Sequence, residues 1–257
     1  MSLLLALLIA AAPQRELKVC ADPNNLPFSN KAGEGFENKL VDIIAKDLDA
    51  KVTYVWWAQR RGNVRETLNA GLCDLIPGVG PTLEMLGTTR PYYRSTYVSV
   101  VRAGRGLDIA SFDDPRLKTS RIGVQLVGDD GANSPPAHAL ARRGITGNVR
   151  GYMIYGDYGA PAPQEEIVRA VADGEVDVAF VWGPVAGYFA QRQKVPLTLT
   201  PVTPAFDGPQ LPMLFDVSAG IRKADRSLKR EVEEILLRRA PEIRALLLSY
   251  GLPVPTP

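Results

Sequence analysis

The sequence has few of the residues that build metal centres, nucleophilic dyads or disulfide scaffolds. Its 257 residues include two cysteines, Cys20 and Cys73, and one histidine, His138. Two cysteines are too few for a disulfide scaffold, and they lack the spacing of metal ligands. No serine or cysteine belongs to a nucleophile motif, and no phosphate-binding loop is present. We therefore expect a protein that is not an enzyme and holds no cofactor or metal.

An excess of one charge is also missing. The chain has 30 Lys and Arg against 28 Asp and Glu, which gives a formal net charge of +2 at pH 7. Phosphate binding needs a concentrated basic face, so nucleic acid is not an expected partner. The composition, 46% hydrophobic and 23% charged, is that of a globular chain with one large domain or two small ones.

The N-terminal apolar run is short. Leu3 to Ala12 has ten residues, which is too few to span a bilayer but suits the apolar part of a secretory signal. No Lys or Arg precedes the run, so a buried N-terminal helix or a wrongly assigned start codon is the alternative. We expect export, with residues 1–14 as the signal remnant and a mature chain that has no membrane span.

Strand and helix patterns alternate along the rest of the chain, which predicts an α/β fold with a mainly parallel sheet and helices on both faces. The predicted strands are 17–21, 51–56, 73–79, 121–125, 149–154, 177–182 and 214–221. The predicted helices are 36–48, 64–68, 137–143, 165–172, 228–236 and one that opens at Pro241.

One pattern occurs twice. Thr67 to Pro77 (TLNAGLCDLIP) and Ala170 to Phe180 (AVADGEVDVAF) each have a helix end, a glycine, two residues and an Asp that opens an apolar strand. The glycine suits a left-handed residue after a helix, and the Asp can accept backbone N–H groups. The repeat favours two similar α/β lobes, although such joins are common in α/β proteins.

Many hydrogen-bonding groups lie between two apolar runs. Pro81 to Ser95 (PTLEMLGTTRPYYRS) follows the run Leu75 to Val79 and precedes Thr96 to Val101. A solvated loop and a ligand cleft both account for this stretch.

The order of elements resembles that of the periplasmic solute-binding proteins that serve polar amino-acid transporters. The resemblance implies a two-lobed periplasmic binding protein fold of type II, with two crossing strands as a hinge. Lobe 1 would comprise residues 15–101 and 215–257, and lobe 2 residues 102–214. The crossing segments would be Ser95 to Arg102 and Pro212 to Ser218.

In open α/β sheets ligands bind beyond the carboxyl ends of the strands, so the polar loops there are the candidate site. Two Trp beside two Arg suit a flat anionic ligand or a protein partner. Asp129 and Asp130 suit a helix cap, a cation or a basic segment, and together with Asp157 they suit a hard cation. The candidate cleft residues are Asp22, Asn24, Asn25, Phe28, Trp56, Trp57, Gln59, Arg60, Arg61, Thr82, Arg90, Tyr92, Tyr93, Asp129, Asp130, Tyr155, Asp157 and Trp182.

The charged anchors of the amino-acid binders are missing. In that family an Arg three residues after a Thr holds the substrate carboxylate, but here Met85 follows Thr82. An Asp at the end of a lobe 2 strand holds the substrate ammonium, and Trp182 occupies that place. Without these two charge-assisted contacts we expect no α-amino acid to bind.

A second, more specific resemblance is carried by the segments Val19 to Asn30, Gly33 to Ala45, Trp56 to Asp74, Thr88 to Val98, Arg121 to Ile145, Arg150 to Gly159 and Asp177 to Phe189. These segments resemble a narrower family, the substrate-binding-like proteins associated with PQQ-dependent methanol dehydrogenases, of the XoxJ and MxaJ type. The resemblance implies a monomeric periplasmic accessory protein whose partner is the dehydrogenase, with its cytochrome c as a second possible partner, and a role in assembly or activation. The alternative is a solute carrier of an ABC importer.

The resembled fold also bears on the cysteines. Its first and third strands of lobe 1 are neighbours, which implies a disulfide between Cys20 and Cys73.

Overall fold

The computed structural model describes residues 14–60, 62–127, 133–154 and 159–252. The strands in these ranges are β1 (Arg15–Ala21), β2 (Asn24–Asn25), β3 (Ser29–Asn30), β4 (Ala50–Trp56), β5 (Leu75–Val79), β6 (Gly87–Thr88), β7 (Tyr93–Arg102), β8 (Ile122–Leu126), β9 (Val149–Met153), β10 (Val178–Trp182), β11 (Leu197–Pro201) and β12 (Leu214–Ile221). The α-helices are α1 (Phe36–Asp47), α2 (Asn63–Glu66), α3 (Pro135–Arg142), α4 (Glu166–Asp173), α5 (Gly183–Ala190), α6 (Arg226–Arg238) and α7 (Ala240–Ser249). No helix in the described ranges has the length and apolar character needed to cross a membrane.

The main sheet has the strand order β4-β1-β5-β12-β7-β10-β8-β9. In one half, called lobe 1, β1 runs parallel to β4 and β5. In the other half, called lobe 2, β8 runs parallel to β9 and β10. The antiparallel strands β12 and β7 lie between the two parallel sets, so the predicted α/β class is confirmed with an antiparallel centre.

Two strands carry the chain between the lobes. The first part of β7 pairs with β12, and the part from Tyr97 onwards pairs with β10 and β11. Strand β12 pairs with β7 from Leu214 to Val217 and with β5 from Ser218 onwards. The chain therefore crosses twice, as the resemblance implied.

Each lobe has its own core. Phe36, Leu40 and Ile44 of α1 recur every four residues and are fully buried with residues of α6 and α7 on one face of the lobe 1 sheet. A smaller cluster around Leu68 and Leu86 covers the opposite face. In lobe 2, separate clusters pack on the two faces of β8 and β10.

The repeated sequence pattern has the same structure in both lobes. Gly71 and Gly174 have φ values of 76° and 77°, a conformation that favours glycine. The Asp74 carboxylate accepts the Lys18 backbone N–H at 2.9 Å. The Asp177 carboxylate accepts the Arg121 backbone N–H at 2.8 Å. The two predicted glycine conformations and the two predicted aspartate contacts are therefore confirmed.

Cys20 and Cys73 form a disulfide, with their Cα atoms 5.6 Å apart. Strand β1 pairs with β5, which brings the two cysteines together. The third strand was predicted to begin at Cys73, but β5 begins at Leu75. Asp74 turns back to the β1 backbone instead, because its carboxylate accepts the Lys18 N–H.

Candidate functional site

A cavity of about 390 Å³ lies between the lobes, beyond the carboxyl ends of β5, β8 and β10. Both lobes and both crossing strands contribute to its wall. The wall is formed by Asn25, Phe28, Glu37, Gln59, Gly78, Val79, Gly80, Tyr93, Tyr97, Gln125, Ile154, Gln164, Trp182, Val185, Phe215 and Val217.

Three aromatic rings from three strands form one side of this cavity. Tyr97 of β7 lies 5.3 Å from Trp182 of β10 and 6.4 Å from Phe215 of β12, measured between ring centroids. Trp182 and Phe215 are 5.8 Å apart. All three pairs have edge-to-face geometry, so the cluster presents ring faces and edges to an apolar ligand group.

A chain of side-chain amides runs from lobe 2 to lobe 1. The Trp182 backbone N–H donates to Gln125 at 2.9 Å, and the Gln125 amide donates to Gln164 at 3.1 Å. The Gln164 amide donates to Asn25 at 2.5 Å, and the Asn25 amide donates to Gln59 at 3.4 Å. We call Gln125, Gln164, Asn25 and Gln59 the amide chain; its Gln164–Asn25 bond joins the lobes.

Two further contacts hold the lobes together. The Asn24 side-chain amide donates to the Ala160 carbonyl at 2.8 Å. Tyr188 of α5 stacks on Tyr250, which follows α7, with ring centroids 5.6 Å apart. The cavity is therefore bordered by direct contacts between the lobes.

Among the described residues of the cavity wall, Glu37 is the one with an ionisable carboxyl group. It lies in the first turn of α1, is 2% exposed, and its Oε2 atom accepts no hydrogen bond. Gly78 leaves room for it, since a Cβ atom at Gly78 would overlap Glu37 Oε1. Burial, and then the nearby Asp22 carboxylate, raise the pKa of Glu37 from its ordinary value of 4.5 to about 8.

Asp22 supports the loops beside the cavity. Its side chain is 1% exposed and accepts the backbone N–H of Asn24 at 2.9 Å and that of Gln59 at 2.8 Å. These bonds fix the loop after β1 against the loop after β4. Asp22 thus positions two neighbours of the cavity without belonging to its wall.

The predicted cleft residues occupy several different places. Those in the cavity wall are Asn25, Phe28, Gln59, Tyr93 and Trp182. Trp57 is 45% exposed and Arg60 is also exposed; neither is in the cavity wall, and they flank the wall residue Gln59 in the sequence. Trp56 stacks on Tyr54 at 4.5 Å.

The other residues predicted to line the cleft lie away from the cavity or outside the described ranges. Arg90 and Tyr92 line a separate depression against α6 and α7. Thr82 is exposed in the loop after β5. The predicted residues outside the described ranges are Arg61, Asp129, Asp130, Tyr155 and Asp157.

Sequence reasoning missed the residues that define the interior of the cavity. Gln125 ends an otherwise apolar strand, IGVQL, and this polar residue is a signal that could have been used. Glu37 lies in the first turn of a helix, where acidic residues are common for reasons unrelated to ligand binding. Tyr97 and Phe215 lie in apolar strand segments, so the sequence suggests that they belong to the hydrophobic core. Within the described parts of the chain, no group of three or more His, Cys, Asp or Glu side chains is placed to hold a metal ion.

The fold and the interlobe cavity define a periplasmic binding protein of the two-lobed type II class. The chain is 33% identical to the protein MoxJ of Methylorubrum extorquens AM1 over 252 residues, which covers 93% of this chain and 81% of MoxJ. The crystal structure of the periplasmic binding protein XoxJ from Methylobacterium extorquens AM1 has a TM-score of 0.75 and 36% identity, over 94% of this chain and 100% of XoxJ. MxaJ from Methylophaga aminisulfidivorans MPT has a TM-score of 0.78 and 28% identity, over 93% of this chain and 100% of MxaJ.

The chain therefore belongs to the family of MoxJ, MxaJ and XoxJ. No family model matches it.

Proposed function

We propose that this chain is a periplasmic accessory protein of a PQQ-dependent methanol dehydrogenase system. It binds the dehydrogenase, in its mature or cofactor-free form, through the rim of the cleft, and acts in assembly or activation rather than in catalysis. Family membership over nearly the whole chain supports this proposal.

One observation separates this function from amino-acid transport. Trp182, which the sequence resemblance aligns with the acidic anchor of the amino-acid binders, lies in the cavity wall. Met85, which it aligns with their arginine, is 48% exposed and is not part of the described wall. The carboxylate of an amino acid would have no cationic partner among the described wall residues, so a carrier for amino acids is disfavoured.

The rim has the side chains of a protein interface. Trp57 and Arg60 are exposed beside Gln59, whose side chain reaches the cavity. Trp and Arg contribute strongly at protein interfaces because they bury a large area and keep a polar group. A partner bound here would contact the loops that border the cleft.

The test is binding of the purified chain to the dehydrogenase, with and without its cofactor. Trp57→Ala should increase the dissociation constant by roughly fivefold or more, because Trp is enriched among the interface residues whose truncation costs over about 1 kcal/mol. Leu237→Ala is the matched control, since Leu237 is 73% exposed on α6 and outside the cavity wall. No association of the unmodified chain with either form of the enzyme would refute the proposal.

A second candidate function is the solute-binding component of an ABC importer for a ligand other than an amino acid. The cavity of about 390 Å³, bordered by interlobe contacts, favours this alternative. Tight binding of a metabolite without any dehydrogenase binding would support it. Neighbouring permease and ATPase genes would do the same, whereas a neighbouring dehydrogenase gene supports the accessory role.

A further inference from the structure

Glu37 is a buried acid with an unsatisfied oxygen in the wall of an interlobe cavity. It is 2% exposed, and its Oε2 atom has no hydrogen-bond partner. A buried polar atom of this kind is costly and rare, so its place in a cavity wall points to a ligand. No Lys or Arg is found among the described residues of the wall.

We infer that the cavity binds a small organic ammonium ion with an apolar substituent and no acidic group, and that Glu37 is its carboxylate partner.

The charge of the wall selects the ligand class. An ammonium group would satisfy the Glu37 carboxylate by a charge-assisted hydrogen bond, which is about twice as strong as a neutral one. A ligand carboxylate would have no cationic partner among the described wall residues and would be repelled by Glu37. The wall therefore favours an amine and disfavours an amino acid or an organic anion.

The aromatic cluster supplies the rest of the recognition. Tyr97, Trp182 and Phe215 offer ring surface to an apolar substituent, and aromatic faces also attract a nearby cation. The Asn25 oxygen accepts one hydrogen bond from Gln164 and the Gln59 oxygen accepts one from Asn25, and each amide oxygen has a second lone pair for a further N–H group. The wall thus offers a carboxylate and amide oxygens to the ammonium group, and aromatic rings to the apolar substituent.

Binding should release a proton. Four described titratable groups interact electrostatically with Glu37, and all of them are acids: Asp22, Tyr54, Tyr92 and Tyr93. With a pKa raised to about 8, Glu37 is largely protonated at pH 7 in the empty cavity. An ammonium ion favours the carboxylate, so affinity should increase between pH 6 and pH 8 and a proton should leave as the ligand enters.

The probes are butylammonium and benzylammonium, with benzyl alcohol and benzoate as neutral and anionic analogues. Isothermal titration calorimetry of the full chain should show at least one of the two ammonium ions binding tenfold or more tightly than benzyl alcohol, and no binding of benzoate. Repeating the titration in two buffers of different ionisation enthalpy should reveal proton release. Glu37→Gln should remove the preference for the cation, while Glu34→Gln, an exposed acid three residues earlier, should leave it unchanged.

Three results would overturn the inference: neither ammonium ion binds, benzyl alcohol or benzoate binds as tightly, or Glu37→Gln keeps the preference for the cation. The analogue comparison uses the unmodified protein, so it decides even if Glu37→Gln does not fold. Trp57→Ala should leave ammonium binding unchanged, because Trp57 is not in the cavity wall. Failure of the ammonium site is thereby distinguishable from failure of the dehydrogenase surface.

Discussion

Glu37 and Gly78 form a matched pair of residues. The carboxyl group fits beside β5 only because position 78 has no side chain. The position of Glu37 in the first turn of α1 partly compensates its burial, because the N-terminus of a helix favours negative charge. Burial nevertheless dominates, and the pKa rises to about 8.

The raised pKa of Glu37 should make the folded protein less stable as the pH increases. Between its ordinary pKa of 4.5 and its folded pKa of about 8, the folded state binds more protons than the unfolded state. Stability should therefore fall with rising pH, by at most about 1.4 kcal/mol per pH unit. Urea unfolding from pH 5.5 to pH 8 should show this slope, and Glu37→Gln should flatten it. Equal slopes in Glu37→Gln and the unmodified chain would contradict the assignment, and Glu34→Gln is the control.

Gly78→Ala tests the space beside Glu37. The new Cβ would overlap Glu37 Oε1 and force the side chain to move, with an expected cost of about 1–2 kcal/mol in the free energy of unfolding. Gly80→Ala is the matched control, since nothing lies within 4 Å of a Cβ at that position. Chemical denaturation of the two variants measures the difference. Equal stabilities would show that Glu37 has room to move freely.

At the scale of elements, the patterns with strong periodicity were predictable. The spacing of Phe36, Leu40 and Ile44 predicted α1, and the repeated Gly-x-x-Asp units predicted two strand entries. Helix α5 (GPVAGYFA) was missed because seven of its residues are buried and it has no polar face. Strand β11 was missed because all its residues are partly or fully exposed, which removes the inside-outside alternation.

The disulfide ties β1 to the segment before β5, and the two cysteines are separated by 53 positions in the sequence. Closing a loop of this size should stabilise the fold by about 4 kcal/mol in the chain-entropy account. Reduction, or the double change Cys20→Ser and Cys73→Ser, should lower the free energy of unfolding by up to that amount. Labelling of unfolded, unreduced protein checks the bond itself, and two labelled cysteines would show that it is absent.

At the scale of the whole molecule, the two-lobed architecture was predictable from the order of elements, but the contents of the cleft were not. Asn25, Gln59 and Trp182 were predicted to line the cleft because ligands of α/β sheets bind beyond the carboxyl ends of the strands, and all three lie in the cavity wall. Arg90 and Tyr92 lie instead against α6 and α7, which return from the far end of the sequence. Sequence distance hides such contacts, and also the meeting of Gln125 with Gln164 and Asn25.

Breaking the amide chain should open the lobes. Gln164→Ala removes the hydrogen bonds to Gln125 and Asn25 and should increase the radius of gyration measured by small-angle X-ray scattering. Gln193→Ala is the control, because the Gln193 side chain bonds Glu165 and Phe189 within lobe 2. An unchanged scattering curve for Gln164→Ala would mean that the Asn24–Ala160 hydrogen bond and the stacked Tyr188 and Tyr250 are sufficient for closure.

The side chains of the amide chain are neutral, so their hydrogen bonds should respond little to the ionic strength of the surroundings. Amide hydrogen bonds and stacked tyrosines join lobe 1 to lobe 2, and these groups carry no charge. Mobile ions screen charges and leave neutral hydrogen bonds nearly unaffected. The contribution of the amide chain to holding the lobes together should therefore be as large in concentrated salt as in dilute buffer, so that a periplasm whose salt content follows the outside medium would leave these contacts undisturbed.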